Sequence, residues 1–321
     1  KKALIRFYFE RAMAELIPFA KYEGLGNDFV LIDDPLGRLT IPAELAAAIC
    51  DRRLGIGADG LLVVAAPRMP EAAARMRYWN QDGSPSAMCG NGIRCIAKHV
   101  RDRHGVPQGP FLIDTDAGPV RCRITAEGEG LSRVEVELVA PRMDPAAVPV
   151  VLPEGASEIV RESNGRGVRF TPLSMGNPHA VTFDVGDEDE RRRLGPLLES
   201  DPAFPERVNI GFAQVVGQAE LRLDVYERGC GFTLACGSGA AAAVAAAGWT
   251  GRIPWNTPTL VHLPGGDLRL TAPGPDRPVL MEGPARRVGA EQTQLEPIDS
   301  YSAGQPGHGR RTRSIVPSSS P

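Results

Sequence analysis

The chain has 321 residues, with 36 Lys and Arg against 39 Asp and Glu, which leaves a formal net charge of −3. Hydrophobic residues make up 42% and charged residues 23% of the chain, an ordinary globular composition that excludes a disordered, collagen-like or coiled-coil protein. The length favours about two domains, and the near-neutral charge argues against a dedicated nucleic-acid binder. Since no apolar run approaches the roughly 18 residues of a membrane span, we expect no membrane association.

Both ends are expected to lie outside the folded part. Residues 1–16 begin with two lysines, but Arg6 and Glu10 interrupt any apolar core of a signal peptide. We interpret them as an N-terminal extension, with Met13 as a candidate start. Residues 303–321 are rich in Gly, Pro, Ser and Arg and are predicted to form a disordered tail. Six cysteines in a large chain without a secretion signal favour a reducing, cytoplasmic location.

Between residues 17 and 140, strand-like runs alternate with two helical segments. The strand-like runs are FVLID, LLVVAA, MRYWN, FLIDTDAGPVRCRIT and SRVEVELV. The helical segments are IPAELAAAICDRR and GNGIRCIAKHVRDRHG, of which the second ends at Gly105. Residues 141–155 are rich in Pro and Ala and are predicted to be a linker.

A second set of elements follows. Its strand-like runs are RFTPLSMGNPHAVTFDV, VNIGFAQVV, LRLDVYERG, TLVHL, LRLTA and VLMEG. Its helical segments are EDERRRLGPLLES and a stretch that begins near Gly237. Many short strands with a few helices predict an α/β or α+β chain in two similar halves.

Internal repetition supports the two halves. The motif GND at residue 26 recurs as GNP 150 residues later, and CGNG at residue 89 recurs as CGSG 147 residues later. Asn80 and Glu227 each precede the cysteine of their motif by nine residues. Three matched features at a nearly constant offset indicate a duplicated architecture.

Cys89 and Cys236 each stand where a strand and turn give way to an apolar helix. Unpaired N–H groups and the helix dipole at that point lower the pKa of a thiol from about 8.5, and the glycines expose N–H groups to a carboxylate or enolate oxygen. If the halves are related by a pseudo-twofold axis, the two thiols face each other across one cleft. One thiolate can then remove an α-proton while the other thiol delivers a proton from the opposite side, as stereoinversion requires.

The other four cysteines are predicted to be core residues, because free cysteine is among the most buried residue types. They are Cys50, Cys95, Cys122 and Cys230. Cys89 and Cys95 share their spacing with Cys230 and Cys236, but five intervening residues exceed the usual two to four or so of structural zinc pairs. With only four lysines, the chain offers few candidates for a Schiff-base cofactor. We therefore expect neither a metal nor a cofactor.

The sequence resembles the diaminopimelate epimerase family over residues 17–289. The motifs that carry the resemblance are KYEGLGNDFVLID, RRLGIGADGLLVV, YWNQDGSPSAMCGNGIRC, SMGNPHAVTF, RVNIGFAQVV, VYERGCGFTLACGSGAAAA, LPGGDL and MEGPARRV. The resemblance implies an α/β (α+β) fold of two pseudo-symmetric domains, residues 17–140 and 141–278, each a mixed sheet or barrel wrapped around a central helix. The strand near residues 279–290 would return to the first half, and a cofactor-free active site would lie between the domains.

The resemblance also implies an activity. This is the interconversion of LL- and meso-diaminopimelate by a Cys89 and Cys236 pair, in a cytoplasmic homodimer on the bacterial route to lysine and peptidoglycan. His179 and Glu227 would tune the pKa values of the two thiols. The implied substrate-binding positions are Asn27, Asn80, Gly90, Asn91, Asn177, Asn209, Glu227, Arg228, Gly237 and Ser238.

The residue chemistry agrees with these roles. The asparagines supply amide donors and acceptors, Arg228 can fork a carboxylate, and His179 beside a thiol is a candidate charge partner. Three positions depart from the family pattern, and one of them is Ala242, which stands where an extra cysteine is common. Gly60 is a glutamine in some relatives, so a substrate contact is missing or made by the backbone, and Phe232 stands where a glutamate is frequent.

Other functions stay open on the residues alone. A related two-cysteine racemase would act on proline or histidine, although Arg228 and the asparagines favour a substrate with a polar distal end. A metabolite-binding protein without thiol chemistry would have no need of both Cys89 and Cys236. A redox-regulated binding module would have a stable disulfide as its working state.

Overall fold

A computed structural model describes residues 17–106, 109–128 and 130–293. The expected extension at residues 1–16 and the expected tail at residues 303–321 lie outside these ranges. Within them, no helix is both long and apolar enough to cross a membrane.

The first half of the chain forms strands and two helices. In chain order they are β1 (Ile17–Gly24), β2 (Asn27–Asp34), α1 (Ala43–Cys50), β3 (Gly60–Ala65), β4 (Ala72–Asn80), β5 (Pro85–Ser86), α2 (Gly90–His104), β6 (Phe111–Asp114), β7 (Val120–Gly128) and β8 (Leu131–Glu137).

The second half follows the same plan. Its elements are β9 (Ile159–Ser163), β10 (Arg166–Ser174), β11 (Pro178–Thr182), α3 (Glu188–Glu199), β12 (Asn209–Gly217), β13 (Glu220–Glu227), β14 (Gly231–Phe232), α4 (Gly237–Trp249), β15 (Thr259–Leu263), β16 (Gly266–Thr271) and β17 (Leu280–Thr293).

Strands of the first half close into a barrel around α2. The hydrogen-bonded order is β1–β2–β3–β4–β6–β7–β8–β17, and β17 pairs back to β1. The ten residues 91–100 of α2 are all buried, as expected for a helix enclosed by a barrel. The helix ends at Gly105, which takes the left-handed conformation (φ 65°) that favours glycine, and cationic side chains in its last turn complement the helix dipole.

The second barrel encloses α4 and is joined to the first through β17 and through the chain segment that follows β8. Its order is β10–β11–β12–β13–β15–β16–β17. The chain that continues from β8 bridges the remaining gap: Leu138 N–H donates to the Val279 carbonyl at 2.8 Å, and Arg142 pairs with Ser174. Strand β17 therefore serves both barrels, pairing with β16 at Leu280 and with β1 from Arg286 onward.

The order of connections is the same in both halves, which confirms the prediction of a duplicated α+β fold. In each half an antiparallel hairpin leads through a helix to a parallel strand, and a two-residue strand then precedes the central helix. Residues 188–199 form the predicted charged helix as α3, and Asp187 caps it by accepting a hydrogen bond from the Glu190 N–H. The predicted linker at residues 141–155 contains neither helix nor strand.

Candidate active site

The two central helices meet at their N-termini. A Cβ atom placed on Gly90 would lie 3.8 Å from the Cα atom of Gly237, and the reverse distance is also 3.8 Å. Cys89 and Cys236, both in extended backbone conformation, are the N-cap residues of these helices. The two sequence-predicted catalytic cysteines therefore precede two helix starts that touch each other.

Two contacts join the helix starts across the halves. The side-chain amide of Asn91 on α2 donates to the backbone carbonyl of Ala235, the residue before Cys236, at 3.2 Å. Met281 of β17 packs against both glycines, since its Cε atom lies 3.5 Å from a Cβ placed on Gly90 and 3.4 Å from one placed on Gly237. Asn91 is 3% exposed, so the contact is shielded from water.

Arg94 is a fully buried cation beside the first cysteine. Its guanidinium donates to the Gly90 carbonyl (3.1 Å) and the Pro284 carbonyl (3.1 Å), and to Oδ1 of Asn91 at 2.8 Å. None of these partners is a carboxylate. The positive charge of Arg94 therefore lowers the pKa of the Cys89 thiol, and it does so without a competing ion pair.

Burial nevertheless decides the net direction of both thiol pKa values. It raises the pKa of Cys89, against the opposing effects of the Gly92 and Asn91 N–H groups and of Arg94. It raises the pKa of Cys236 further above its usual value, because the negative charge of Glu227 adds to desolvation there. The helix N-termini alone predict lowered values. The difference arises because the loss of hydration outweighs the backbone donors.

Glu227 lies at the end of β13 and influences both thiols. Its negative charge raises the pKa of Cys89 as well as that of Cys236. Its Oε1 atom accepts a hydrogen bond from the Thr233 hydroxyl. The site therefore contains one positive group near Cys89 and one negative group near both cysteines.

His179 is buried and contacts the second helix start through Ser238. Its Nε2 lies 3.1 Å from the Ser238 hydroxyl and 3.1 Å from Oδ1 of Asn177. Burial, and then the positive charge of Arg228, lowers the pKa of His179 to about 3. The imidazole is therefore neutral near pH 7, so its contacts here are hydrogen bonds rather than the charge pairing expected from the sequence.

The expected binding residues differ in how far the protein already uses them. Both polar atoms of the Asn209 side chain already have partners in the protein. Its Nδ2 donates to the Pro178 carbonyl at 2.8 Å, and its Oδ1 accepts from the Arg228 N–H at 3.0 Å. Asn80 donates to the Ser84 hydroxyl at 2.9 Å. The guanidinium of Arg228 is exposed and donates to the Glu206 carbonyl at 2.9 Å.

Two buried acceptors have no partner among the described residues. They are Oδ1 of Asn27 and Nδ1 of His179. A buried polar atom without a partner carries a free-energy cost of about 1–3 kcal/mol. Orphan acceptors in a cleft are therefore natural contacts for the donors of a ligand.

All six cysteines are free, and three of the four predicted core cysteines are buried. The prediction for Cys230 is wrong, because this residue is exposed in the turn between β13 and β14. Cys230 lies between Gly229 and Gly231, whose positive φ angles (77° and 81°) form a tight turn, and residues 228–230 are all exposed.

One group of metal-ligating residue types gathers closely in the described part of the chain. Asp33, His99 and His104 bring their ligand atoms within 4.8 Å of one another at the far end of α2 from Cys89. Both imidazoles already contact the Asp33 carboxylate, at 2.9 Å and 3.3 Å. These contacts fasten the helix to β2 and explain the grouping.

Sequence reasoning missed three residues that build the site: Arg94, Met281 and Thr233. The sequence position of Arg94 could have identified it. Helical side chains point toward the N-terminus, so a residue four positions after Gly90 covers the start of the helix. Met281 carried none, since it reaches the site from a strand at the end of the fold.

The chain matches a family model described as diaminopimelate epimerase over residues 19–143 and 171–288. It is 40% identical over 278 residues to a diaminopimelate epimerase of Teredinibacter turnerae, covering 86% of this chain and 99% of that protein. It is 44% identical over 272 residues to a diaminopimelate epimerase of Xanthomonas axonopodis pv. citri, covering 83% and 93%.

Solved structures share the fold at low sequence identity. A hydroxyproline epimerase from Agrobacterium vitis has a TM-score of 0.64 at 16% identity, covering 88% of this chain and 93% of that one. A methylitaconate-delta-isomerase has a TM-score of 0.60 at 15% identity, covering 91% and 99%.

Proposed function

The chain belongs to the diaminopimelate epimerase family and is an isomerase, and on that premise we propose that Cys89 and Cys236 interconvert LL- and meso-2,6-diaminopimelate. The observation that carries the proposal is the contact of the two helix starts at Gly90 and Gly237. This contact presents two cysteine N-caps to one space from two different helices.

The proposed reaction is a two-base proton exchange that needs no cofactor. One cysteine, as thiolate, takes the α-proton on one face and becomes a thiol, and the carbanion at the α-carbon takes the thiol proton of the other cysteine on the opposite face. The second cysteine is left as the thiolate, so charge and protons balance. The first N–H groups of α2 and α4 lack intrahelical acceptors and would hold the α-carboxylate as charge develops on it.

Burial of the two thiols supports a reaction in which one cysteine is the thiolate and the other is the thiol. Both raised pKa values favour thiols, and one shared negative charge is less costly than two in a desolvated site. That charge would rest more readily on Cys89, which has Arg94 beside it, than on Cys236 with Glu227.

The polar groups around the thiols fit a substrate with two amino-acid ends. The substrate ammonium groups would donate to the orphan acceptors of Asn27 and His179. Arg228 would bind a distal carboxylate through guanidinium donors that the Glu206 carbonyl leaves free. The same chemistry supports the wider assignment of substrate contacts to Asn80, Asn177 and Asn209, with Asn209 also holding the loops in place.

A homodimer in the cytoplasm, serving lysine and peptidoglycan synthesis, completes the proposal. Six free cysteines, of which the proposed pair must stay reduced to work, suit a reducing compartment. Light scattering of the purified protein tests the dimer.

The decisive assay mixes purified, chelator-treated protein with LL-diaminopimelate, proline or histidine in heavy water and follows the uptake of deuterium at the α-carbon by NMR. We expect turnover of diaminopimelate alone, without added cofactor. Turnover of proline or histidine instead would assign the chain to another two-cysteine racemase. Loss of turnover after chelation and recovery with zinc would rule out a purely thiol mechanism.

A further inference from the structure

Tyr78 occupies the space in which residue 60 would carry a side chain. A Cβ atom placed on Gly60 would lie 2.5 Å from Cε2 of Tyr78, far inside normal contact, and 3.2 Å from its hydroxyl oxygen. Glycine at position 60 therefore lets the phenol ring lie across the end of β3.

The ring lies on the inner face of the first barrel, at the end that carries Cys89. Gly60 and Leu62 share a strand face, since side chains alternate, and Leu62 reaches within 3.1 Å of a Cβ placed on Gly92 in α2. Tyr78 packs edge-on against Phe29, with ring centroids 6.1 Å apart. It thus lies between the barrel core and the last residue of its own strand, Asn80.

The amides at the barrel mouth stand on the same faces as these aromatic residues. Asn27 precedes Phe29 by two positions, and Asn80 follows Tyr78 by two positions. Tyr78 therefore lies two positions farther into the barrel than Asn80, on the same face of β4, as Phe29 does relative to Asn27 on β2.

The Tyr78 phenol remains protonated and can therefore donate a hydrogen bond. Burial, and then the negative charge of Cys89, raises the pKa of Tyr78 far above its ordinary value. No hydrogen bond joins its hydroxyl to another described residue. A polar group of this kind inside a cleft is available to a ligand.

We propose that the Tyr78 hydroxyl, admitted by the missing side chain at Gly60, is a substrate-binding group that donates a hydrogen bond to a substrate carboxylate beside Cys89. The proposal rests on the proposed function for the presence of an amino-acid substrate in this cleft. It adds a contact that neither the motif pattern nor the paired cysteines predict.

Tyr78→Phe tests the proposal, because it removes only the hydroxyl and leaves the ring to fill the space. We expect KM for diaminopimelate to rise about tenfold, the scale of a lost hydrogen bond to a charged group, with kcat within about threefold of the wild type. Tyr22→Phe is the matched control. The Tyr22 hydroxyl contacts His99 Nδ1 at 3.1 Å, and His99 lies ten residues after Cys89 along α2. The kinetics of the Tyr22→Phe variant should therefore match those of the wild type.

The outcomes separate this inference from the proposed function. Wild-type turnover of diaminopimelate tests the function, and an active wild type with an unchanged KM in Tyr78→Phe overturns the inference alone. A fall in kcat at constant KM would also overturn it, by placing the effect on the reacting thiol instead of on binding. If the wild type turns over only proline or histidine, the same KM comparison is made with that substrate.

Discussion

The Cα atom of Gly237 lies 3.8 Å from the position that a Cβ atom would take on Gly90, so the two central helices touch at residues that have no side chains. A methyl group on Gly90 would meet Met281 and Gly237 at ordinary contact distances of 3.5 Å and 3.8 Å, whereas one on Gly237 would lie only 3.1 Å from the Met281 Sδ atom. The close approach of the helix starts that carry Cys89 and Cys236 therefore depends most strictly on the glycine at position 237.

Gly237→Ala should lower activity through geometry. The new methyl would lie 3.1 Å from the Sδ atom of Met281, so either Met281 or the helix start has to move. A shift of about 1 Å can cost on the order of a hundredfold in rate, whereas we expect only about 1–3 kcal/mol of lost unfolding free energy. Steady-state kinetics measures the loss of rate, and chemical denaturation measures the loss of unfolding free energy. Gly274→Ala, with its methyl at an ordinary 3.7 Å from Arg277, is the control, and equal activities in the two variants would contradict the prediction.

Single cysteine variants should separate proton removal from inversion. Cys89→Ala and Cys236→Ala should each lose epimerisation by several orders of magnitude, because either the base or the acid is missing. Each variant is expected to exchange the α-proton of one stereoisomer slowly with deuterium, and the two variants should prefer opposite stereoisomers. Deuterium uptake by NMR measures this. Near-normal epimerisation in either variant would exclude the two-base assignment, and an identical preference would exclude opposed thiols.

Mild oxidation should inactivate the enzyme reversibly by joining Cys89 to Cys236. Their helix starts touch, so a small backbone movement would bring the sulfurs within bonding distance. The experiment uses a Cys230→Ser background, because Cys230 is exposed and would react first. Peptide mass spectrometry identifies the link. Inactivation through a bond to Cys95 would remove the support for facing thiols.

Arg94→Met should slow alkylation of Cys89 by iodoacetamide at pH 7 by about tenfold or more. The positive charge of Arg94 lowers the pKa of the Cys89 thiol, and the thiolate is the form that reacts with iodoacetamide. Arg94→Lys keeps the charge and should stay near the wild-type rate. Arg103→Met, an exposed change on the same helix, should have no effect. Equal slowing by methionine and lysine would show that the hydrogen bonds of Arg94, and not its charge, act on Cys89.

Asp28 should contribute to stability in a pH-dependent way. Burial raises the pKa of this carboxyl, but hydrogen bonds from Arg52 and Lys21 outweigh burial and lower the pKa to about 2. The unfolded value is near 3.9, so the stabilisation is present above about pH 4 and is lost as the pH falls toward 2. Asp28→Asn should therefore cost about 2 kcal/mol of unfolding free energy at pH 7.

Urea denaturation at pH 7 and pH 3 checks this prediction. The difference in unfolding free energy between Asp28→Asn and the wild type should be smaller at pH 3. Asp276→Asn, at an exposed position, serves as the control. A constant gap at both pH values would show that Asp28 acts through packing alone.

The parts of the fold that follow from the sequence are those governed by local periodicity. Residues 90–104 and 188–199 are helical as predicted, because capping residues and apolar spacing define helices within a few turns. Closure of the barrels by β17 depends on pairing across the whole chain, which no local pattern encodes. The raised pKa of Cys89 was likewise out of reach, since the sequence shows its helix start but not the depth at which the barrels bury it.

Strand β17 determines when, during synthesis of the chain, the two barrels can close. Ile17 at the start of β1 pairs with Thr293 at the end of β17, and β16 pairs with the beginning of that same strand. During synthesis the second barrel cannot close before the residues from Leu280 to Glu282 have left the ribosome, and the first barrel cannot close before the residues after Arg286 have done so. The nascent chain must therefore carry two open sheets with exposed edges, and long-range pairing of this kind folds slowly and risks association with other chains. We expect chaperones to be needed most in the interval just before β17 emerges.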